Sequence, residues 1–291
     1  MTSIAILTPD PADEGFRSRW REVFERLAAP LRERGMAVEG PAWTESLERY
    51  DLVLPLLAWG YHRAGRQWLE AVARWEREGV RVRNGPSVLR WNADKKYLGR
   101  LAERGAPVAP TIYVERLSEE ALARAAERFG TDRLIAKPQV SAGAWQTIRW
   151  TPGTPAAEGP QGAAMIQPYL PLIETEGEIS LIYLAGAFSH AIRKLPQPGD
   201  FRVQPEYDGI IAAYRPSQDE CAAAEAILRA AGEPLLYARV DLVRDLSGRP
   251  VLMELELVEP DLYLGFDARA AAAFAEAVQA ASSGENLGFQ R

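Results

Sequence analysis

The chain has 291 residues, 47% of them hydrophobic and 25% charged, which is enough for two or three packed units of ordinary composition. Its net charge of −6 argues against a nucleic-acid partner, which calls for a basic face, and no apolar run approaches the ~20 residues that span a bilayer. A single cysteine, Cys221, excludes an internal disulfide, and Met1-Thr2-Ser3-Ile4-Ala5-Ile6-Leu7 lacks the basic start and long apolar core of a signal peptide, so the expected location is cytoplasmic.

An apolar strand is expected over 3–7, then a helix from Phe16 to Arg34 that carries Val23, Leu27 and Leu31 and stops at Gly35. Strands follow near 37–40, 51–56 and 80–83, with a helix over 67–77 between the last two. This alternation predicts an open α/β unit over 1–86, closed by Asn84-Gly85-Pro86. Next come a helix over 92–104, a strand at 111–114, a helix from Ser118 to Phe129, a strand at 133–137, a loop at 138–144 and a strand at 145–150. The Pro/Gly/Ala stretch 151–162 reads as surface loop, and 164–167 as a strand stopped by Pro168. These pieces form a central lobe, 87–167. A larger antiparallel lobe, 168–281, is expected to hold strands at 179–184 and 188–195, a helix over 217–231 capped by Ser217, two strands around Gly248, and a closing helix over 268–280. The tail 282–291 reads as a protease-site linker and is set aside.

The two strands around Gly248 carry most of the chemistry. Val240-Asp241-Leu242 and Glu254-Leu255-Glu256 place carboxylates inside apolar patterns, and Glu254 and Glu256 share a strand face. Three carboxylates gathered by a hairpin repel one another unless a cation lies between them, and hard oxygen ligands suit Mg²⁺. The same pattern also fits a surface hairpin with solvated acids. Lys137 ends the apolar strand Leu134-Ile135-Ala136 and precedes the small-residue loop 138–144, whose amides could approach an anion. The Walker spacing is absent. Lys95, in Asn92-Ala93-Asp94-Lys95-Lys96, is a second lysine candidate.

In order, Asp94-Lys95, the Lys137 strand and loop, Ile166-Gln167-Pro168-Tyr169-Leu170, Gly177-Glu178, Asp200-Phe201-Arg202 and Asp241…Glu254-Leu255-Glu256 resemble the ATP-grasp superfamily over about 85–280. Within it, Phe188–Lys194, Asp-Phe-Arg and Glu-Leu-Glu…Glu-Pro look most like the branch containing the O-ureidoserine cyclo-ligase of cycloserine biosynthesis, which is similar to the glutathione-synthetase-like ligases. The resemblance implies an α/β (α+β) fold in which two lobes clamp ATP behind an N-terminal α/β unit. It implies that Lys95 and Lys137 contact the nucleotide phosphates and that Ser141 and Gly143 lie in a mobile covering loop. It further implies that Gln167, Pro168, Tyr169 and Leu170 form the adenine hinge and that Glu178 accepts from the ribose hydroxyls. Arg202 would lie near the transferred phosphoryl group, with Lys137 as its catalytic companion, and Asp241, Glu254 and Glu256 would hold a pair of Mg²⁺ ions. Glu256 stands where many members have Asn, and Gln167 where an acid is more usual.

The implied reaction is ATP-dependent activation of a small amino-acid-like carboxylate as an acylphosphate. An amine-type nucleophile then forms an amide or closes a ring, releasing ADP and phosphate, in the setting of antibiotic biosynthesis. A small-molecule kinase and a nucleotide-binding protein without turnover are the alternatives. A homodimer is the default assembly. Cys221 reads as a packing residue and His190 as either structural or cleft-facing. Tyr61 and His62, which follow the 51–56 strand, are weaker substrate-site candidates against a loop anchored by aromatic packing.

Overall fold

The computed structural model describes residues 1–16, 20–203 and 208–284. The start of the expected Phe16–Arg34 helix, at 17–19, and residues 285–291 of the expected linker lie outside the described residues.

The first sheet has three parallel strands in the order β2 (Ala37–Glu39), β1 (Ser3–Ile6), β3 (Leu52–Leu54). Alternation along β1 and β3 explains its two covered faces. Ile4, Ile6, Leu52 and Leu54 pack toward helix α1 (Trp20–Glu33) and the closing helix α7 (Ala270–Ser282), whereas Ala5, Leu7 and Val53 pack toward α2 (Gly65–Arg77). The expected strand at 80–83 is reduced to one bridge, Val53 to Val82.

The expected helix over 92–104 is two short helices, α3 (Pro86–Asn92) and α4 (Tyr97–Glu103). Asp94 causes the break: its Oδ1 accepts from the Lys96 amide at 2.9 Å, a turn that competes with helical bonding. Lys95 therefore lies in a bend, where its amide donates to the Gln139 carbonyl at 2.9 Å.

A four-stranded antiparallel sheet follows, in the order β4 (Ile112–Val114), β7 (Ala164–Pro168), β5 (Leu134–Pro138), β6 (Ile148–Trp150). Leu134, Ala136, Ala164 and Ile166 pack on α5 (Glu119–Phe129), so Lys137 and its partner Met165 face the other way, where Met165 joins the core of the third sheet.

The third sheet is antiparallel, in the order β10 (Ile210–Tyr214), β9 (Ala187–Leu195), β8 (Glu178–Leu184), β11 (Tyr237–Arg244), β12 (Pro250–Glu256). Ile179, Leu181, Val240, Leu242 and Leu255 pack against α6 (Gln218–Ala231). Leu252 joins them although it is two residues from Glu254. The register slips between Asp241 and Leu242, leaving Met253 as the extra residue of a bulge that turns Leu252 to the core and Glu254 to the cleft.

Asn84, fully buried, joins the N-terminal unit to this sheet. Its side chain donates to the Tyr237 and Leu257 carbonyls at 3.0 and 2.8 Å and accepts from the Leu236 amide at 2.8 Å. Asn84→Ala leaves three buried backbone groups unpaired. We expect a loss of about 2–4 kcal/mol in a urea titration, and an unchanged midpoint would contradict this clamp.

Candidate active site

One face of the third sheet carries the charged residues. Register places Glu178 opposite Lys194, Ser180 opposite Asp241, Asp241 opposite Glu254, and Arg239 opposite Glu256, all on the side away from α6. Lys194 Nζ lies 2.8 Å from Glu178 and 3.7 Å from Asp241. Asp241, 2% exposed, accepts from Ser180 Oγ at 2.5 Å and from Arg239 Nε and Nη2 at 3.0 and 2.9 Å. Arg239 also pairs with Glu256, and Lys95 Nζ lies 3.0 Å from Glu254.

The cations between the expected metal-ligand acids are thus supplied by the protein itself. Among the described residues no group of three His, Cys, Asp or Glu side chains is gathered as a metal site. The oxygens of Asp241 are taken by protein donors. Glu254 and Glu256, with side chains 31% and 24% exposed, remain open to the cleft. Their carboxylate chemistry fits a hard divalent cation, provided Lys95 and Arg239 give way. Arg239 and Lys194 were missed in the sequence. Arg239-Val240-Asp241 contained the signal, because residues two apart on a strand share a face.

Lys137 is half-buried and has no ion-pair partner among the described residues. Burial lowers its pKa, opposed by the charges of Glu254, Glu178 and Asp241. Lys95 Nζ donates to the Ser141 carbonyl at 2.5 Å, fixing the loop that carries Ser141 and Gly143. Gly143 has a φ of 60°, in the left-handed region that favours glycine.

The hinge residues behave differently from one another. The Gln167 amide nitrogen donates to Thr111 Oγ1 at 2.9 Å, and its buried Oε1 has no partner among the described residues. Pro168 ends β7, and Leu170 packs with Ala109 and Val243. Tyr169 donates its hydroxyl to Glu174 and stands edge-on to Phe201, with centroids 6.3 Å apart. That contact brings Asp200-Phe201-Arg202 to the hinge. There Asp200, 2.8 Å from Arg202, is held down to about 2 by the Arg202 hydrogen bonds. Burial raises Glu178 while Lys194 opposes the shift.

His190 is structural: Nε2 lies 3.0 Å from the Leu262 carbonyl and Nδ1 lies 3.0 Å from Ser189 Oγ. His62 is pushed down to about 4 by burial, then by Arg63 and Lys95, so it is neutral at physiological pH. Its ring stands 6.5 Å from Trp145, just beyond the covering loop.

Glu259 is a half-buried acid pushed up to about 8 by burial and by the neighbouring charge of Glu254. A folded carboxyl raised above its ordinary 4.5 keeps its proton longer than the unfolded chain does. Its contribution is therefore fullest below about 4.5 and is lost as pH rises to about 8. Glu259→Gln should raise the melting temperature at pH 9 by about 1–3 °C and leave it unaltered near pH 4. Equal shifts at both values would contradict this.

A family profile described as "D-cycloserine synthetase DcsG, N-terminal domain" matches residues 4–84. The cycloserine biosynthesis protein DcsG of Streptomyces lavendulae is 34% identical over 212 residues, which is 66% of this chain and 70% of that protein. The chain belongs to the DcsG family of ATP-grasp ligases. The crystal structure of D-cycloserine synthetase DcsG superposes with a TM-score of 0.81 at 26% identity, covering 96% of this chain and 99% of that one. The D-alanine–D-alanine ligase of Bacillus anthracis shares the fold at a TM-score of 0.67 and 14% identity, covering 96% and 95%. The ATP-grasp fold expected from the sequence is thus present, and this DcsG-family chain is an ATP-dependent ligase that forms C–N bonds. Among structures of this fold, the ATP-grasp ligase PsnB has been solved with Mg and ADP and the B. anthracis D-alanine–D-alanine ligase with ATP. Among the described residues no helix is long and apolar enough to cross a membrane.

Proposed function

We propose that this DcsG-family ligase activates the carboxylate of a small amino acid as an acylphosphate, which a nitrogen of the same molecule attacks to close a ring. The observation that carries the reading is Lys137, a half-buried lysine without an ion-pair partner among the described residues, whose strand turns it toward the acid-bearing third sheet beside Met165. A cation left unpaired in such a place is ready for an anionic ligand.

In this reading the units 87–167 and 168–281 clamp ATP, and 1–86 supplies a wall for the amino acid. Lys95 and Lys137 hold the phosphates, which frees Glu254 from Lys95. The loop with Ser141 and Gly143 excludes water from the acylphosphate. The backbone at 167–170 meets the adenine, because the Gln167 amide is already turned to Thr111. Glu178 shares its carboxylate between Lys194 and the ribose hydroxyls. Glu254 and Glu256 would hold Mg²⁺, expected as a pair of ions, with Asp241 behind them fixing Arg239. Bound Mg²⁺ supplies charge that offsets the repulsion between carboxylate and γ-phosphate. Arg202 meets the transferred phosphoryl group from the hinge side. Ring closure forms the C–N bond as the bond to phosphate breaks and the nitrogen loses a proton to the departing phosphate or to water, and positioning within one molecule can lower that barrier by about 7–11 kcal/mol in ideal cases.

Hydroxylamine added during turnover tests the intermediate. We expect ATP-dependent hydroxamate from the amino acid. A stable phosphorylated hydroxyl and no hydroxamate would mean a kinase.

A further inference from the structure

The covering loop ends on a tryptophan that nucleotide binding does not use. Trp145 stands at the far end of the loop 138–144, is 47% exposed and joins none of the apolar cores among the described residues. Its ring meets the His62 ring at 6.5 Å with the planes 52° apart, and among the described residues it has no other ring contact. The backbone on both sides of Trp145 lies in the left-handed region: Gly143, Ala144 and Gln146 have φ of 60°, 56° and 53°. Residues with a Cβ adopt that conformation at a cost, so it persists only where the surroundings impose it. Two turns impose part of it, the Trp145 amide donating to the Ala142 carbonyl at 3.2 Å and the Thr147 amide to the Ala144 carbonyl at 3.1 Å. Lys95 holds the loop through the Ser141 carbonyl, but it shares its ammonium with Glu254.

His62 is built as a fixed seat. It lies on the short 3₁₀ helix Tyr61–Ala64 that follows β3 at the carboxyl end of the parallel sheet. Tyr61 before it is stacked on Trp68 with centroids 4.8 Å apart, and Arg63 after it is paired with Asp13 at 3.1 Å. Neither ring nitrogen of His62 has a hydrogen-bond partner among the described residues, and Nδ1 is buried. An imidazole in that state acts on its neighbours by the face of its ring, and a contact between two such rings is attractive beyond the area it buries. His62 belongs to the N-terminal unit and Trp145 to the central lobe, so the contact ties the loop to the unit that receives the amino acid in the ligase reading. We propose that His62 is the seat on which Trp145 latches the covering loop, which makes the two of them positioning residues that hold the loop shut over the acylphosphate. That purpose rests on the ligase reading above, whereas the latch itself does not.

Hydrogen exchange of the full-length protein, read by mass spectrometry over 142–147, tests the latch without any ligand. Trp145→Ala and His62→Ala should each speed exchange there by about 5-fold, the weight of one aromatic pair. Because they remove the same contact, the double variant should be no faster than either alone, whereas independent roles would multiply to about 25-fold. Trp145→Phe and His62→Phe keep a ring on each side and should stay within about 2-fold of the wild type. Thermal melting confirms that each variant is folded, and the contrast between Trp145→Ala and Trp145→Phe carries the test if a His62 variant is not. Unchanged exchange in Trp145→Ala, or multiplied effects in the double variant, overturns the latch. The second arm follows ADP and ring-closed product from O-ureidoserine. The wild type should release them together, whereas Trp145→Ala should release ADP in at least about 2-fold excess as water reaches the acylphosphate. ADP and product that stay matched in a variant with faster exchange overturn the shielding role. A wild type that releases no ADP with any amino-acid carboxylate overturns the ligase reading, and the exchange arm still decides the latch.

Discussion

Replacing Glu254 with glutamine lowers Mg²⁺-dependent ADP release by at least about 10³-fold while the protein stays folded. The argument starts from the bulge at Met253, which turns Glu254 into the cleft while Leu252 and Leu255 stay in the core. The change keeps the shape of the side chain and removes its charge, so packing around β12 is not disturbed. What is lost is an oxygen donor able to hold a hard cation and the partner of Lys95 at 3.0 Å. Lys95 then keeps its bond to the Ser141 carbonyl without an acid beside it. The cost in stability should be modest because the Glu254 side chain is 31% exposed. Initial rates of ADP release over a Mg²⁺ titration, together with a thermal melt, separate the two effects. A folded variant with ordinary turnover would remove Glu254 from the metal-holding role.

Replacing Lys137 with methionine should act in opposite directions on stability and on binding. The lysine is half-buried beside a core, and burial outweighs the acids that face it, so its charged form is destabilised in the free protein. Methionine fills similar space without the charge. We expect the free variant to melt about 2–5 °C higher near pH 7. Because the folded value lies below 10.5, the folded state holds fewer protons than the unfolded chain at pH values between the two. The wild type therefore gains stability as pH rises toward 10.5, and the difference between the proteins should narrow there. ATP binding should weaken by about 10- to 100-fold, as expected for a lost charged hydrogen bond. Calorimetric titration with ATP and melting curves at two pH values measure both. Unchanged ATP affinity would take Lys137 out of the nucleotide site.

The acids were legible in the sequence because strand parity fixes which residues share a face. Glu254 and Glu256 needed only a period of two, and Lys137 only an apolar strand before it and a small-residue loop after it. The cations that neutralise the acids were not legible. Lys194 reaches Glu178 across sixteen residues and Arg239 reaches Glu256 across seventeen, pairings that depend on register between strands. Strand β10 was missed because Ile210–Tyr214 is an edge strand, mostly exposed or half-buried, without clean alternation. The helix predicted over 92–104 failed at Asp94, whose side chain bonds the backbone two residues on and places Lys95 in a bend. Asn84 read as a boundary because Gly85-Pro86 follows it. It is a buried clamp, and the three backbone groups it bonds lie more than 150 residues away.

The most direct test of the central claim is to incubate the protein with ATP, Mg²⁺ and O-ureidoserine, without any added amine, and to follow ADP and the organic product together by mass spectrometry. A ring-closed product appearing in step with ADP is the result predicted for an intramolecular C–N ligase. ADP that appears only when a separate amine is supplied, or no ADP across a panel of small amino-acid carboxylates, would contradict it.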